Sequence, residues 1–279
     1  MTLSPREAGV LLERHGLSPR KALGQHFLVD PNTVRRIARL ARVGAGDRVV
    51  EIGAGLGSLT LALLETGAAV TAVEVDAGLV AVLEEVAAPG GAQVVAGDAL
   101  ALDWASVLGP AGPWVLVANL PYNVASPLVA DLLDLVPAIE RMLVMVQREV
   151  ADRWVAGPGD PAHGALSVKI AYWATASIVG KVPAAVFLPP PRVESSLVAI
   201  ERREAPAVDP GEVSAEALFA LVRAGFAGRR KTLRRSLASR VSPDAFEAAG
   251  VAPTARAEEL TVEDWGRLAR WSTSLPRPS

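Results

Sequence analysis

Two of the chain's three asparagines and one of its two tyrosines fall in five consecutive residues, Asn119-Leu120-Pro121-Tyr122-Asn123. The side-chain oxygen of Asn119, the backbone carbonyl of Leu120 and the ring of Tyr122 together suit a flat heterocycle that carries an amine. The exocyclic amine of adenine is such a group and a poor nucleophile, because its lone pair is delocalised into the ring. Acceptors that draw the amine toward a tetrahedral form correct this, and Tyr122 offers a face on which a flipped base can stack. No base of perturbed pKa is needed, since in-line positioning and solvation of the charge developing on nitrogen carry the step. These residue types also build ordinary turns, and that reading stands beside the chemical one.

Three carboxylates and a glycine loop supply the other half of a reaction. In Val50-Glu51-Ile52-Gly53-Ala54-Gly55-Leu56-Gly57-Ser58 the glycines permit a sharp turn and close approach of a ligand to backbone, the logic of a nucleotide site at a strand-to-helix turn. Glu51 discriminates among nucleotides. A carboxylate just before Gly53 and Gly55 opposes a pyrophosphate but attracts the ammonium of S-adenosylmethionine, directly or through water, and the spacing is not GxGxxG. Glu74 is placed to accept from both ribose hydroxyls of such a donor, with Asp76 as the nearby alternative, and Asp98 to accept from its adenine amine. Taken singly, each acid can equally be a helix N-cap.

The elements that must position these residues are legible as alternating apolar runs and helical spacings. Strands are expected over 48–52, 69–73, 93–96, 114–118 and 141–145, with two more near 176–179 and 197–201. Helices are expected over 58–65, 77–87, 100–108, 126–135, 147–154 and 166–173. This order implies a doubly wound α/β sheet, largely parallel, whose carboxyl edge gathers Gly53, Glu74, Asp98 and Asn119. Past Arg203 the pattern changes: Pro206 and Pro210 mark a linker, and helices are expected over 216–226, 230–240, 243–249 and 262–271. The expected domains are 1–205 and 206–279.

Composition excludes several classes. With 279 residues and 51% hydrophobic content the chain can bury a full core. It has no cysteine and three dispersed histidines, which argues against disulfide or metal chemistry. No signal-like segment opens the chain and Lys169 interrupts the longest apolar tract, so a cytoplasmic protein is expected.

With these residues in view, the sequence resembles the ribosomal RNA adenine dimethyltransferases, which modify two adjacent adenines near the end of small-subunit ribosomal RNA. The resemblance covers nearly the whole chain and rests on Lys21-Ala22-Leu23-Gly24-Gln25-His26-Phe27-Leu28, the glycine loop, Asn119-Leu120-Pro121-Tyr122, Gln147-Arg148-Glu149-Val150-Ala151 and Phe187-Leu188-Pro189-Pro190-Pro191-Arg192-Val193-Glu194-Ser195. It implies a seven-stranded class I methyltransferase sheet with a small all-helical C-terminal domain, and S-adenosylmethionine as donor. It further implies donor contacts at His26, Leu28, Gly53, Glu74, Asp98 and Asn119, and a base sandwich completed by Phe187. Many members carry asparagine where His26 stands, which leaves open whether His26 meets the donor through its side chain or its backbone. Periodicity alone reads Phe187 as a core aromatic.

Arg223, Arg229, Arg230, Lys231, Arg234, Arg235 and Arg240 follow one another without an intervening acid, in a chain of net charge -2. Such a run can be a solvated face. Beside an RNA-directed site, phosphate contact is the expected use, and the acidic remainder favours a shaped target over indiscriminate binding. The expected partner is small-subunit ribosomal RNA within an immature subunit, met by a monomer away from membranes. Two alternatives remain at this level: a large-subunit adenine methyltransferase sharing most motifs, and an assembly factor whose binding matters more than its methylation.

Overall fold

Short apolar runs flanked by helical segments can satisfy both faces only inside a layered sheet, and the computed structural model has that form. It describes residues 2–20, 23–110, 112–121, 124–228 and 230–272. Tyr122 and Arg229, with Lys21, Ala22 and Asn123, lie outside the described residues.

In chain order the elements are α1 Pro5–Arg14, β1 Phe27–Leu28, α2 Pro31–Leu40, β2 Arg48–Ile52, α3 Ser58–Leu64, β3 Ala69–Glu74, α4 Ala77–Ala87, β4 Gln93–Ala96, α5 Trp104–Leu108 and β5 Trp114–Asn119. There follow α6 Ala125–Leu135, β6 Ile139–Gln147, α7 Arg148–Val155, α8 Ala165–Trp173, β7 Ala174–Val182, β8 Phe187–Leu188, β9 Ser195–Arg202, α9 Ala215–Ala227, α10 Leu233–Ser236, α11 Pro243–Ala249 and α12 Val262–Arg270. Seven strands form one sheet in the order β4-β3-β2-β5-β6-β9-β7, while β1 and β8 form a separate antiparallel pair. β2 to β6 pair in parallel and β9 returns antiparallel against β6. Central β2 and β5 are buried along nearly their whole length, whereas edge strand β4 is not, which is why only the central runs read as continuously apolar.

Register decides where the chemistry collects. Ile52 lies level with Val73 on one side and Ala118 on the other. Gly53, Glu74 and Asn119 therefore stand one residue further along, side by side at the carboxyl edge, with Ala96 level with Glu74 two residues before Asp98.

Several elements differ from expectation. α1 and α2 are additional to the expected helices; Ser4 caps the first with a reciprocal Glu7 contact, and Asp30 caps the second by accepting from the Thr33 N–H at 2.8 Å. The helix expected over 100–108 is only α5, because the Asp98 side chain and carbonyl take the N–H groups of Leu100, Ala101 and Leu102 into a turn, and Asp103 then caps the short helix beyond it. The helix expected over 230–240 is reduced to the single turn α10. The N–H groups of Leu233 and Arg234 donate to the carbonyls of Ala255 and Pro253, a tertiary pairing that replaces helical bonds.

The described chain forms two compact units, Met1–Ala151 with Ser177–Glu201, and Asp152–Ala176 with Arg202–Ser279. A single cut near residue 205 therefore misses α8, which packs with α9 and α12. Tyr172 of α8 is fully buried, edge-on to Phe219 with centroids 5.1 Å apart. In the same unit the fully buried Trp265 fills the space beside Gly225. Among the described residues no helix is long and apolar enough to cross a membrane.

Candidate active site

The glycine loop after β2 is shaped by positive φ at Gly53 (73°), Gly55 (59°) and Gly57 (83°). A side chain would be strained there, and at Gly55 a Cβ would also come within 3.0 Å of the Phe27 ring. The Gly53 N–H donates to the Val73 carbonyl at 2.9 Å, which pins the loop to β3.

Glu74 completes the turn. Its Oε2 accepts from the Gly55 N–H at 2.9 Å, and its Oε1 accepts from the N–H groups of Val75 and Asp76, each at 2.9 Å. Burial raises its pKa above the usual carboxylate range; these three N–H donors oppose the shift and the Asp76 charge adds to it. Glu51 has no comparable support. Burial pushes its carboxyl up to about 8, the Thr60 hydroxyl opposing and the Glu74 charge assisting, and its Oε2 is buried without a hydrogen-bond partner. Asp76 has a different task from Glu74. Its Oδ1 accepts from the Gly78 N–H at the start of α4, and its Oδ2 takes the Gln25 amide at 3.0 Å and the Arg20 guanidinium at 3.3 Å. The segment after α1 is thereby strapped across the carboxyl edge of the sheet.

Two adjoining cavities result. The first is lined by Gln25, His26, Leu28, Glu51, Gly53, Gly55, Glu74 and Asn119 among others. The second is largely apolar and contains Asp98. They share Leu23, Gly53, Val75, Leu120 and Pro121, so an elongated ligand can run through both. The orphaned Glu51 oxygen fits an ammonium group in the first cavity. In the second, Val75 and Leu100 are 58% and 44% exposed despite being apolar, and they flank a slot suited to a flat ring, with Asp98 at its rim. Sequence reading did not single out these two; the only signal is an apolar residue directly after Glu74 and another two residues after Asp98.

Asn119 ends β5 half-buried, and its Nδ2 donates to the His26 carbonyl at 3.1 Å. A carbonyl only accepts, so the amide orientation is settled and Oδ1 is the atom left to accept. His26 donates from ring Nδ1 to the Pro189 carbonyl at 2.7 Å. Phe27 and Leu28 then pair with Leu188 and Phe187 respectively.

Phe187 is 4% exposed and belongs to the apolar cluster of Leu28, Met145 and Leu197, and it is not among the residues lining these two cavities. Leu28 reaches the first cavity while 5% exposed.

Comparison with known proteins decides the family. Residues 16–274 match the model of the "Ribosomal RNA adenine dimethylase" family. The chain belongs to this family. Dimethylase relatives include the ribosomal RNA small subunit methyltransferase A of Kineococcus radiotolerans, 49% identical over 96% of this chain and 90% of that one. That of Thermobifida fusca is 48% identical over 96% and 95%. Among solved structures, a Plasmodium falciparum dimethyladenosine transferase superposes with a TM-score of 0.73 at 24% identity, over 87% of this chain and 96% of that one. The 23S rRNA methyltransferase ErmE does so at 0.67 and 27%, over 88% and 99%. The dimethylase fold is thus the seven-stranded sheet with flanking helices found here.

In the helical unit, Arg223, Arg230, Lys231, Arg234 and Arg235 are all exposed. Leu233 and Leu237 are buried beneath them, so α10 is anchored by its apolar positions and presents its arginines to solvent.

Proposed function

We propose that the chain transfers methyl groups from S-adenosylmethionine to the exocyclic amines of two adjacent adenines near the 3′ end of small-subunit ribosomal RNA, during ribosome assembly in the cytoplasm. The donor supplies an electrophilic methyl on a sulfonium. Glu51 holds its ammonium, Glu74 accepts from its ribose hydroxyls, Asp98 accepts from its adenine amine, and Gly53, Gly55, His26 and Leu28 shape the channel around it. Val75 and Leu100 enclose the adenine ring.

The observation that carries this reading is the fixed amide of Asn119 beside that channel. Its Oδ1 and the Leu120 carbonyl accept from the target amine, polarise it toward a tetrahedral form and solvate the charge that develops on nitrogen. Tyr122, two residues on in the sequence, stacks on the flipped base. No side chain has to remove a proton before attack.

The exposed arginines of the helical unit contact phosphates of the immature small subunit, and the enzyme acts as a monomer. The small-subunit assignment follows the relatives at 46–49% identity, all of which carry that name. The test is incubation with labelled donor and either immature small subunits or protein-free large-subunit RNA. Label in the small subunit, mapped to dimethyladenosine at adjacent positions, is the expected result; label in the large-subunit RNA alone overturns it.

A further inference from the structure

Glu51 is a buried carboxylic acid in a cavity whose described lining contains no lysine or arginine. It lies on β2, 2% exposed, and its Oε2 has no hydrogen-bond partner. The polar groups about it come from every neighbouring element: the Glu74 carboxylate ends β3, the Thr60 and Ser58 hydroxyls belong to α3, the neutral Asn119 amide ends β5, and His26, before β1, has its ring bonded to the Pro189 carbonyl. Glu74, the one charge acting on Glu51, has the same sign. A carboxyl buried this deeply can resolve its charge in two ways: it keeps a proton, or it meets a cation. The protein by itself supplies the first. Burial pushes the group up to about 8, with the Thr60 hydroxyl opposing and Glu74 assisting.

We propose that donor binding is a proton-for-ammonium exchange at Glu51: the carboxyl gives its proton to solvent as the α-ammonium of S-adenosylmethionine takes its place, so that pH sets the affinity for donor and product alike. The inference rests on the reading of the first cavity as the seat of the donor's amino-acid end. The O–H bond of the carboxyl breaks, the proton passes to buffer, and the ammonium N–H groups donate to the carboxylate. The pair formed is neutral, like the acid it replaces, so no unpaired charge is buried at either stage. The ammonium favours the charged form and returns the carboxyl toward its ordinary range, below about 5. Between that range and about 8 the complex holds one proton fewer than its separate parts, and affinity rises about tenfold per pH unit. Above about 8 the donor's own amino group begins to lose its charge and the gain ends.

The experiment is titration calorimetry of the full chain at about pH 6.5, in buffers of different ionisation enthalpy. The ligands are S-adenosylmethionine, S-adenosylhomocysteine and 5′-methylthioadenosine, which keeps the nucleoside but lacks the amino-acid end. The wild type should release close to one proton per donor or product bound and none with methylthioadenosine, and its donor affinity should rise about tenfold from pH 6 to pH 7. Glu51→Gln, which resembles the neutral acid in shape, should release none and bind donor more weakly, with little dependence on pH. A proton still released on methylthioadenosine binding comes from a group facing the nucleoside, such as Glu74, and one still released by the glutamine variant comes from another group, such as His26; either result overturns the assignment to Glu51. Donor bound by the wild type without proton release overturns the exchange and leaves the donor site standing. Failure of the wild type to bind either donor or product overturns the reading of the cavity itself. Should Glu51→Gln not fold, the contrast between product and methylthioadenosine in the wild type decides the question.

Discussion

The amide of Asn119 is held by the backbone carbonyl of His26, 3.1 Å from its Nδ2, although 93 residues separate them in the chain. Replacing Asn119 with alanine removes one acceptor aimed at developing charge, which contributes about 3 kcal/mol, a factor of order 100 in the chemical step. Single-turnover methylation at saturating donor and RNA checks this, since saturation removes the binding contribution. A near-normal rate would reduce Asn119 to a turn residue and leave activation of the amine to backbone carbonyls.

Glu74, the proposed ribose ligand, is also the acceptor for three backbone N–H groups. Glu74→Ala should therefore weaken donor binding by roughly 1.5 to 3 kcal/mol, the worth of hydrogen bonds to a charged group, and lower the melting temperature by leaving those N–H groups unpaired. Titration calorimetry and thermal melting read the two effects. Unchanged affinity would remove Glu74 from the site.

Glu51 makes stability depend on pH. Its folded pKa, about 8, lies above the ordinary value of 4.5, so the folded state retains a proton that the unfolded state has lost between these limits. The stability this proton provides is complete below about pH 4.5 and disappears as pH rises through about 8, at about 1.4 kcal/mol per unit. Glu51→Gln carries no such charge. Melting of both proteins from pH 5 to 9 should show the glutamine variant gaining on the wild type as pH rises, and parallel curves would contradict the assignment.

The basic run of the helical unit makes a prediction about salt. Replacing Arg229, Arg230, Lys231, Arg234 and Arg235 with glutamine should leave donor affinity intact, weaken binding to the ribosomal substrate and flatten its dependence on salt concentration. Affinities measured over a range of salt decide it, and an unaltered slope means the cluster is only a solvated face.

Gly225 sits against the Trp265 ring, where an added Cβ would come within 2.4 Å of Cη2. Because that ring is fully buried, Gly225→Ala should destabilise the helical unit by about 1–3 kcal/mol. Donor affinity should not change, since both residues lie outside the unit that holds the donor cavities. Calorimetric melting with and without donor separates the units, and an unchanged melting profile would show that the tryptophan moves aside freely.

Much of the catalytic unit is readable in the linear chain because its determinants are local. The apolar runs of β2 and β5 specify buried strands, the glycines after Ile52 specify a turn that only residues tolerant of positive φ can make, and Glu74 follows its strand directly. The compositional concentration beginning at Asn119 likewise falls where β5 ends at the first cavity. Other features have no local signature. Which atom of the Asn119 amide is left to accept depends on a carbonyl 93 residues away, and Asp76, two residues from Glu74, binds Gln25 and Arg20, which lie about fifty residues earlier in the chain. Phe187 precedes a proline-rich turn in sequence but is drawn into the apolar cluster by its pairing with Leu28. The basic stretch 230–240 has helical composition, yet carbonyls of Pro253 and Ala255 compete for its N–H groups and leave one turn. Residue type and short spacing thus determined the fold class, the glycine loop and the candidate carboxylates. Side-chain orientation, the strap over the cavity and the partition of α8 into the helical unit were decided by hydrogen bonds and packing between distant segments, which pattern in one dimension does not encode.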